Sequence, residues 1–254
     1  MERHSFQHDG LTLSYLDTAG SGPLLVALHA HLMEAVTYAP LAAALSPPWR
    51  VVALDQRGHG YSSHAQSYTR EDYLGDMEAL LDHLGADQAV LLGNSLGGVN
   101  AYQYAARNPE QVRALVIEDI GAVVNDDISF VLPWEGVFPS REELERRIDA
   151  RFLPYLKDSF RQDDAGWRLA FRPREMVLSQ QQLIGDHWQE WLASNCPALV
   201  LRGSESRVVT QEQVELMALR RRNTQAVTLD GGHALHVDNP SGFRAQVKAF
   251  LEQL

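Results

Sequence analysis

Short apolar runs recur along the chain and alternate with stretches whose apolar residues are spaced as in helices. Continuous apolar runs of about four to six residues are typical of strands that are buried on both faces of a parallel sheet. Such runs occur at residues 24–28, 51–54, 89–92, 114–117 and 198–201. Their alternation with helices predicts a doubly wound α/β sheet.

Helices and a hairpin are predicted around these strands. Residues 73–84 and 97–108 carry apolar residues at helical spacing, and the second segment ends directly before a proline, where a helix is disfavoured. Residues 6–15 alternate between apolar and polar positions around Asp9-Gly10, which predicts a β-hairpin. Residues 241–254 have the spacing of an amphipathic helix.

The segment 122–195 interrupts this alternation. It contains no buried-strand pattern, and polar stretches with helical spacing dominate it. We therefore predict an α/β core formed by residues 1–121 and 196–254 and a helical cap formed by residues 122–195. Because open α/β sheets bind ligands beyond the carboxyl ends of their strands, the cap is expected to cover that edge. A helical lobe without substrate contacts is the alternative.

One helix of the cap has a clear start signal. Residues 140–143 read Ser-Arg-Glu-Glu, a capping-box pattern, and Leu144, Ile148 and Phe152 follow at helical spacing. The cap is also rich in large apolar residues, which favour either an apolar pocket for acyl or aryl groups or, for most of them, the core of the cap. These residues are Phe130, Val131, Leu132, Trp134, Val137, Phe138, Trp167, Trp188 and Trp191.

Composition and charge narrow the function classes. The chain has 254 residues, 45% of them hydrophobic, and a formal net charge of −11, which is typical of a soluble globular protein. Binding to nucleic acid or to an anionic membrane needs a basic surface, so neither partner is expected. Cys196 is the only cysteine, so no intrachain disulfide can form. With no signal peptide or membrane-spanning run visible, we expect a cytoplasmic monomer or homodimer.

A serine lies where a predicted strand turns into a predicted helix. Residues 93–98 read Gly-Asn-Ser-Leu-Gly-Gly between the run at 89–92 and the helix that begins near Gly97. In a nucleophile elbow the serine occupies a strained turn, and small residues on either side let the strand and the helix approach closely. The helix N-terminus favours developing negative charge. Ser95 is therefore the predicted nucleophile.

One of the ten histidines has the context of a catalytic base. Residues 224–229 have the pattern of a last strand, and Asp-Gly-Gly-His follows at 230–233. Glycines before the histidine permit a tight turn, and the histidine comes last in the order nucleophile, acid, histidine. His233 is the predicted base, whereas His236 is expected to pack or bond locally.

Four segments in this order resemble the α/β-hydrolase family. They are Leu-His-Ala-His at 28–31, Asp-Gln-Arg-Gly-His-Gly-Tyr-Ser at 55–62, the serine elbow at 93–98, and Gly-His-Ala-Leu-His-Val-Asp-Asn-Pro at 232–240. The resemblance implies an α/β-hydrolase fold: a mostly parallel eight-stranded sheet flanked by helices, with a helical cap inserted after the sixth strand. It also implies hydrolysis of esters, thioesters or related bonds of a small-molecule substrate, with no cofactor and no metal ion.

The resemblance further implies an oxyanion hole made by two backbone N–H groups. One belongs to the residue after the nucleophile, Leu96, and the other to the loop after the third strand, at His31 with Leu32 as the alternative. This sequence departs from the family at His29-Ala30, where a His-Gly pair is usual. The loop must therefore form its turn without a glycine at that position.

The acid of the triad has three candidates. In most of the family the acid lies in the loop after the strand that corresponds to residues 198–201, where a glycine is followed by two residues and then an aspartate. In this sequence Ser206 stands at the aspartate position, and Glu205 lies one residue earlier. A smaller group of esterases and thioesterases has the acid after the preceding strand and a serine in the later loop. In that arrangement Asp119 would orient His233, with Ser206 as a supporting partner. Glu205 and Glu118 are the alternatives.

These residues predict a serine esterase or thioesterase for small to medium acyl groups, working through an acyl-enzyme on Ser95. The serine argues against a dehalogenase or an epoxide hydrolase, which use an aspartate nucleophile. The fold leaves other serine reactions open, namely C–C bond hydrolysis, lactone opening, removal of an N-terminal proline and perhydrolysis. A binding or signalling module that turns its ligand over slowly is the alternative from another class.

Overall fold

Eight strands form the main sheet of the protein, seen here in a computed structural model that describes residues 1–254. They are β1 (Glu2–His8), β2 (Leu11–Asp17), β3 (Leu24–Leu28), β4 (Arg50–Asp55), β5 (Ala89–Asn94), β6 (Val112–Glu118), β7 (Ala198–Gly203) and β8 (Thr224–Leu229). The strand order is β1-β2-β4-β3-β5-β6-β7-β8. β2 runs antiparallel to β1 and β4, and all other neighbouring pairs are parallel. The predicted mostly parallel eight-stranded sheet is confirmed, and every apolar run lies within one of its strands.

The β1–β2 hairpin turns at the predicted dipeptide. Asp9 and Gly10 have φ values of 46° and 76°. Two consecutive residues in the left-handed region form the turn whose twist matches that of antiparallel strands. The register that follows pairs Phe6 with Leu13, and both side chains are buried.

The chain contains ten α-helices, and those outside residues 122–195 pack on the two faces of the sheet. The ten helices are α1 (Ala39–Leu45), α2 (Arg70–Leu84), α3 (Leu96–Arg107), α4 (Arg141–Glu145), α5 (Leu153–Leu156), α6 (Pro173–Leu183), α7 (Trp188–Ala193), α8 (Gln211–Arg220), α9 (Leu235–Asp238) and α10 (Pro240–Leu251). Successive side chains of a strand point to opposite faces. In β3, Val26 packs in the apolar layer shared with α2 and α3, whereas Leu25 packs with α1 and α10. None of the helices is both long enough and apolar enough to span a membrane.

Residues 122–195 contribute no strand to the main sheet. They contain α4 to α7 and two small antiparallel sheets, in which Val123–Val124 pairs with Gly185–Asp186 and Phe160–Asp163 pairs with Gly166–Leu169. The helical spacing of this segment did not predict these two short sheets. The hairpin at 160–169 carries no buried-strand pattern because four of its eight strand residues are polar and only Leu169 is buried.

The helix that begins after Ser140 is shorter than the spacing predicts. The Ser140 side chain caps it as expected, but α4 ends at Glu145. The N–H of Ile148 then bonds three residues back, to the carbonyl oxygen of Glu145, which is tighter than an α-helix. Ile148 is buried, so its spacing reflects burial through a tight turn. The predicted continuation of the helix to Phe152 was therefore wrong.

Candidate active site

Ser95 forms the whole connection between β5 and α3. Its backbone has φ 52° and ψ −115°, a region that non-glycine residues rarely adopt and that costs about 1 to 3 kcal/mol. The N–H of Ser95 donates to the carbonyl oxygen of Glu118 at the end of β6, over 3.0 Å. The surrounding strands therefore hold Ser95 in a strained strand-to-helix turn, which is the geometry that a nucleophile elbow requires.

Two glycines allow β5 and α3 to approach at this turn. A Cβ atom on Gly93 would lie 2.1 Å from the carbonyl oxygen of Gly97, and a Cβ atom on Gly97 would lie 2.1 Å from the carbonyl oxygen of Leu28. Both contacts are to backbone atoms, which cannot rotate aside as a side chain can. The elbow therefore requires glycine at both positions.

The variant Gly97→Ala is expected to lower the free energy of unfolding by about 2 kcal/mol or more, because the new methyl group must push α3 away from β3. Gly75→Ala is the matched control. Gly75 lies in α2, where a Cβ atom would meet only the end of the His8 side chain, at 3.3 Å, and alanine favours a helix over glycine. Urea unfolding measures both variants. Equal stability of Gly97→Ala and the wild type would contradict the close approach.

His233 is hydrogen-bonded to Asp119. Its Nδ1–H donates to Oδ2 of Asp119 over 2.7 Å. The carboxylate is fully buried and accepts two further hydrogen bonds, from the Ser206 hydroxyl over 2.6 Å and from the N–H of Gly203 over 2.8 Å. With three donors around it, the Asp119 carboxylate is held in one orientation towards the imidazole.

Neither of the two other candidate acids is hydrogen-bonded to His233, although Glu205 lines the same cavity. Glu205 is exposed, and its side chain makes no hydrogen bond or ion pair within the protein. Glu118 is buried but belongs to a different histidine: Nδ1 of His236 lies 2.8 and 2.9 Å from its carboxylate oxygens, and the N–H of His236 donates to it over 2.8 Å. Of the three carboxylates, only Asp119 contacts His233.

The pKa of His233 is raised above its ordinary value. Burial lowers it, but the hydrogen bond to Asp119 and the negative charges of Asp119, Glu118 and Asp126 outweigh burial because they stabilise the protonated ring. An imidazole in this environment can accept a proton more readily than a free histidine. This is the property that a general base needs.

Ser95 and His233 line the same cavity, whose volume is about 800 Å³. No hydrogen bond joins the Ser95 hydroxyl to the imidazole in this structure, although catalytic hydrogen bonds are often long without substrate. Residues 122–195 are called the insertion. Of its nine large apolar residues named in the sequence analysis, only Phe130 lines the cavity, whereas Val131 and Trp134 are buried within the insertion. The other apolar lining residues of the insertion are Ile128, Phe152, Tyr155 and Leu156.

The loop after β3 presents free backbone donors beside this cavity. The N–H of Met33 bonds to the carbonyl oxygen of Ala30 over 3.3 Å, and Leu32 has φ 71°, so residues 30–33 form a tight turn. The N–H groups of His31 and Leu32 find no acceptor within the protein. Leu96 is the first residue of α3, so its N–H has no acceptor within the helix.

Alanine at position 30 fits this turn. The left-handed residue is Leu32, and Ala30 itself has a negative φ, so glycine is not needed there. The side chain of His29 holds the start of this turn. Its Nδ1–H donates to the carbonyl oxygen of Ala30 over 2.7 Å, and its Nε2 accepts from the N–H of Gln56. Burial lowers the pKa of His29 to about 4, which keeps the ring neutral for both bonds.

Tyr155 and Asp238 hold the loop that carries His233, and the sequence gives no signal for either role. The hydroxyl of Tyr155 in α5 donates to Asp238 over 2.7 Å, and the other oxygen of Asp238 accepts from the N–H of Gly232, directly before His233. The insertion thus contacts the loop that carries His233.

No group of three or more His, Cys, Asp or Glu side chains is arranged to hold a metal ion.

Comparison with known proteins identifies the class to which this fold and site belong. A family model described as the alpha/beta hydrolase fold matches residues 23–175. The chain therefore belongs to the α/β-hydrolase family, as the four sequence segments predict, and it is a hydrolase.

Individual relatives match this chain over most of its length. The chain is 26% identical to the 2-(acetamidomethylene)succinate hydrolase of Mesorhizobium japonicum over 84% of this chain and 81% of that one. It is 28% identical to an sn-1-specific diacylglycerol lipase of Mus musculus over 95% of this chain and 85% of that one. The crystal structure of E-2-(acetamidomethylene)succinate hydrolase is similar with a TM-score of 0.86 at 23% identity, covering 99% of this chain and 100% of that one, which is a likeness of fold.

Proposed function

We propose that the protein cleaves carboxylic esters or thioesters through an acyl-enzyme on Ser95. The observation that carries this proposal is the buried Asp119 carboxylate hydrogen-bonded to His233, beside a cavity that both His233 and Ser95 line. A buried acid, an imidazole and a strained serine are the parts of a serine hydrolase triad. Ser206 supports Asp119 through its hydroxyl.

The reaction follows from these positions. Ser95 Oγ attacks the acyl carbonyl carbon while Nε2 of His233 takes the hydroxyl proton, and Asp119 stabilises the imidazolium that forms. The carbonyl oxygen becomes an oxyanion, which accepts hydrogen bonds from the N–H groups of Leu96 and His31, with that of Leu32 as the alternative to His31. The bond to the leaving group breaks as His233 returns the proton to it. Water then attacks the acyl-enzyme by the same steps and releases the acid.

The cavity favours a substrate with an apolar acyl group of small to medium size. Its lining includes the apolar side chains of Leu32, Met33, Ile128, Phe130 and Leu156. About 800 Å³ lies within the usual range for small-molecule sites. The lipase relative acts, by its name, on an ester of glycerol. This name supports an ester as the substrate, and C–C bond hydrolysis, lactone opening, removal of an N-terminal proline and perhydrolysis are the alternative reactions.

A series of acyl substrates tests this proposal. We expect release of p-nitrophenol from p-nitrophenyl esters with two to eight acyl carbons, with an initial burst equal to the enzyme concentration if deacylation is slow. Acyl-CoAs of the same lengths, measured by thiol release, separate a thioesterase from an esterase. Turnover at the rate of the buffer for all esters and thioesters would contradict the proposal and favour a module that only binds its ligand.

The pH dependence of kcat/KM is expected to report His233. The base must be neutral to accept the serine proton, so kcat/KM should fall as the pH decreases through its pKa, which lies above the ordinary histidine value. Removing the negative charge in Asp119→Asn should move this limb to lower pH, because the protonated ring loses its partner. A limb that stays in place in the residual activity would contradict the pairing.

We also propose the wider arrangement that the sequence indicates. Residues 122–195 would act as a cap on a core formed by residues 1–121 and 196–254, and the cavity residues that they supply support this role. A cytoplasmic location and a monomeric or homodimeric state are part of the same proposal. Size-exclusion chromatography with light scattering tests the oligomeric state.

A further inference from the structure

The loop that supplies the oxyanion donors is in contact with residues of the insertion at three places. We call residues 29–34 the oxyanion loop. Its conformation includes Leu32 at φ 71°, a cost of about 1 to 2 kcal/mol for a side chain other than glycine. Strained backbone of this kind persists only where the surrounding structure holds it. The contacts from the insertion can therefore help to hold this conformation.

The first contact is made by Ser159, which precedes the hairpin at 160–169. Its hydroxyl donates to the carbonyl oxygen of Leu32 over 3.2 Å. Ser159 is fully buried, and its own backbone is fixed on both sides, by its N–H to Leu156 and by its carbonyl oxygen to Ala170. A rigid donor thus holds the peptide that follows the strained residue.

The second contact is made by Ser179 in α6. Its hydroxyl lies 2.8 Å from Nε2 of His31 and 2.8 Å from the hydroxyl of Tyr73 in α2. Ser179 is fully buried, and His31 is nearly so. These hydrogen bonds therefore fix the side chain of His31, the residue whose backbone N–H is assigned to the oxyanion.

The third contact is an ion pair at the end of the loop. Nη2 of Arg161 lies 2.9 and 2.7 Å from the two carboxylate oxygens of Glu34. The Glu34 side chain is 2% exposed, so water screens this pair little. Hydrogen bonds thus reach residues 31, 32 and 34 from two separate elements of the insertion.

We propose that Ser159 and Ser179 are positioning residues for the oxyanion hole, so that the insertion holds the transition-state donors as well as lining the cavity. This inference rests on the proposed serine mechanism. Neither serine lines the cavity, so their effect must pass through the loop. Loss of either contact should loosen the N–H donors without removing a substrate contact.

The consequence is a specific kinetic signature. Ser159→Ala is expected to lower kcat for p-nitrophenyl butyrate about 10-fold and to leave KM within about 2-fold, because the donors act on the oxyanion more than on the ground-state carbonyl. A trifluoromethyl ketone, which forms a tetrahedral oxyanion on the serine, should bind about 10-fold more weakly in parallel. Ser179→Ala should show the same pattern from a different element.

Ser194→Ala is the matched control. Ser194 is a buried serine of the same insertion, but its hydroxyl accepts from Arg221, away from the oxyanion loop. It should lose stability like the other two variants and keep the kcat and inhibitor affinity of the wild type. If Ser159→Ala does not fold, Ser179→Ala against Ser194→Ala makes the same comparison.

The outcomes separate the possible failures. Wild-type kcat and inhibitor affinity in both Ser159→Ala and Ser179→Ala would overturn the inference, and so would a higher KM at unchanged kcat. An equal loss of kcat in Ser194→Ala would assign the effect to general destabilisation and would also overturn it. A wild type that releases no p-nitrophenol would instead contradict the proposed function.

Discussion

Ser95→Ala is expected to reduce kcat for p-nitrophenyl butyrate by about 10⁴-fold or more, with little change in KM. The alanine removes the only atom that can form the acyl-enzyme, and the remaining rate comes from the oxyanion donors and from substrate binding. Because alanine keeps the Cβ atom and therefore the same strained backbone at position 95, the variant should be about as stable as the wild type towards urea. Initial rates with the purified variant, measured well above the buffer rate, test this.

Ser204→Ala is the control for this experiment. Ser204 is exposed, in the loop that follows β7, and its hydroxyl makes no hydrogen bond within the protein. Its replacement should leave kcat and KM unchanged. Equal rates for the wild type and Ser95→Ala would show that the hydrolysis takes place without this serine.

Asp119→Asn is expected to lower kcat by about 10³- to 10⁴-fold. The amide cannot stabilise the imidazolium and favours the wrong tautomer of His233. Glu205→Gln should lose far less, because the Glu205 side chain contacts no other residue by a hydrogen bond. Glu118→Gln should mainly reduce stability, because it disturbs the buried bond to His236.

The three variants have to be measured side by side on one substrate, with unfolding followed in the same samples. A loss in Glu205→Gln that exceeds the loss in Asp119→Asn would overturn the assignment of the acid. A loss in Glu118→Gln that disappears when the protein is fully folded would agree with a structural role for that carboxylate.

The sequence was most informative where one local pattern decides the structure. The apolar runs of the parallel strands and the serine between a strand and a helix are patterns of this kind, and the fold follows from them. The predicted acid depends on two loops, because Ser206 occupies the position at which the family usually has an aspartate and Asp119 follows the preceding strand. Local alternation could not choose between Asp119 and Glu118, because the chain leaves β6 at Asp119 with φ 51°.

The insertion shows what local patterns miss. Most of its helices are short, and half of the strand residues in its hairpin at 160–169 are polar, so these elements lack the periodicity on which prediction depends. The contacts of Ser159 and Ser179 with the oxyanion loop join residues more than a hundred positions apart. A buried serine has no sequence signature of its own, so only the fold reveals these partners.

The most direct test of the central claim is the site of covalent modification by a fluorophosphonate, read by intact-protein and peptide mass spectrometry. A serine activated by His233 and Asp119 should add one phosphonyl group per chain, on the peptide that contains Ser95, and Asp119→Asn should react far more slowly. Addition of the group to another residue, or equal labelling of the wild type and Ser95→Ala, would contradict the account.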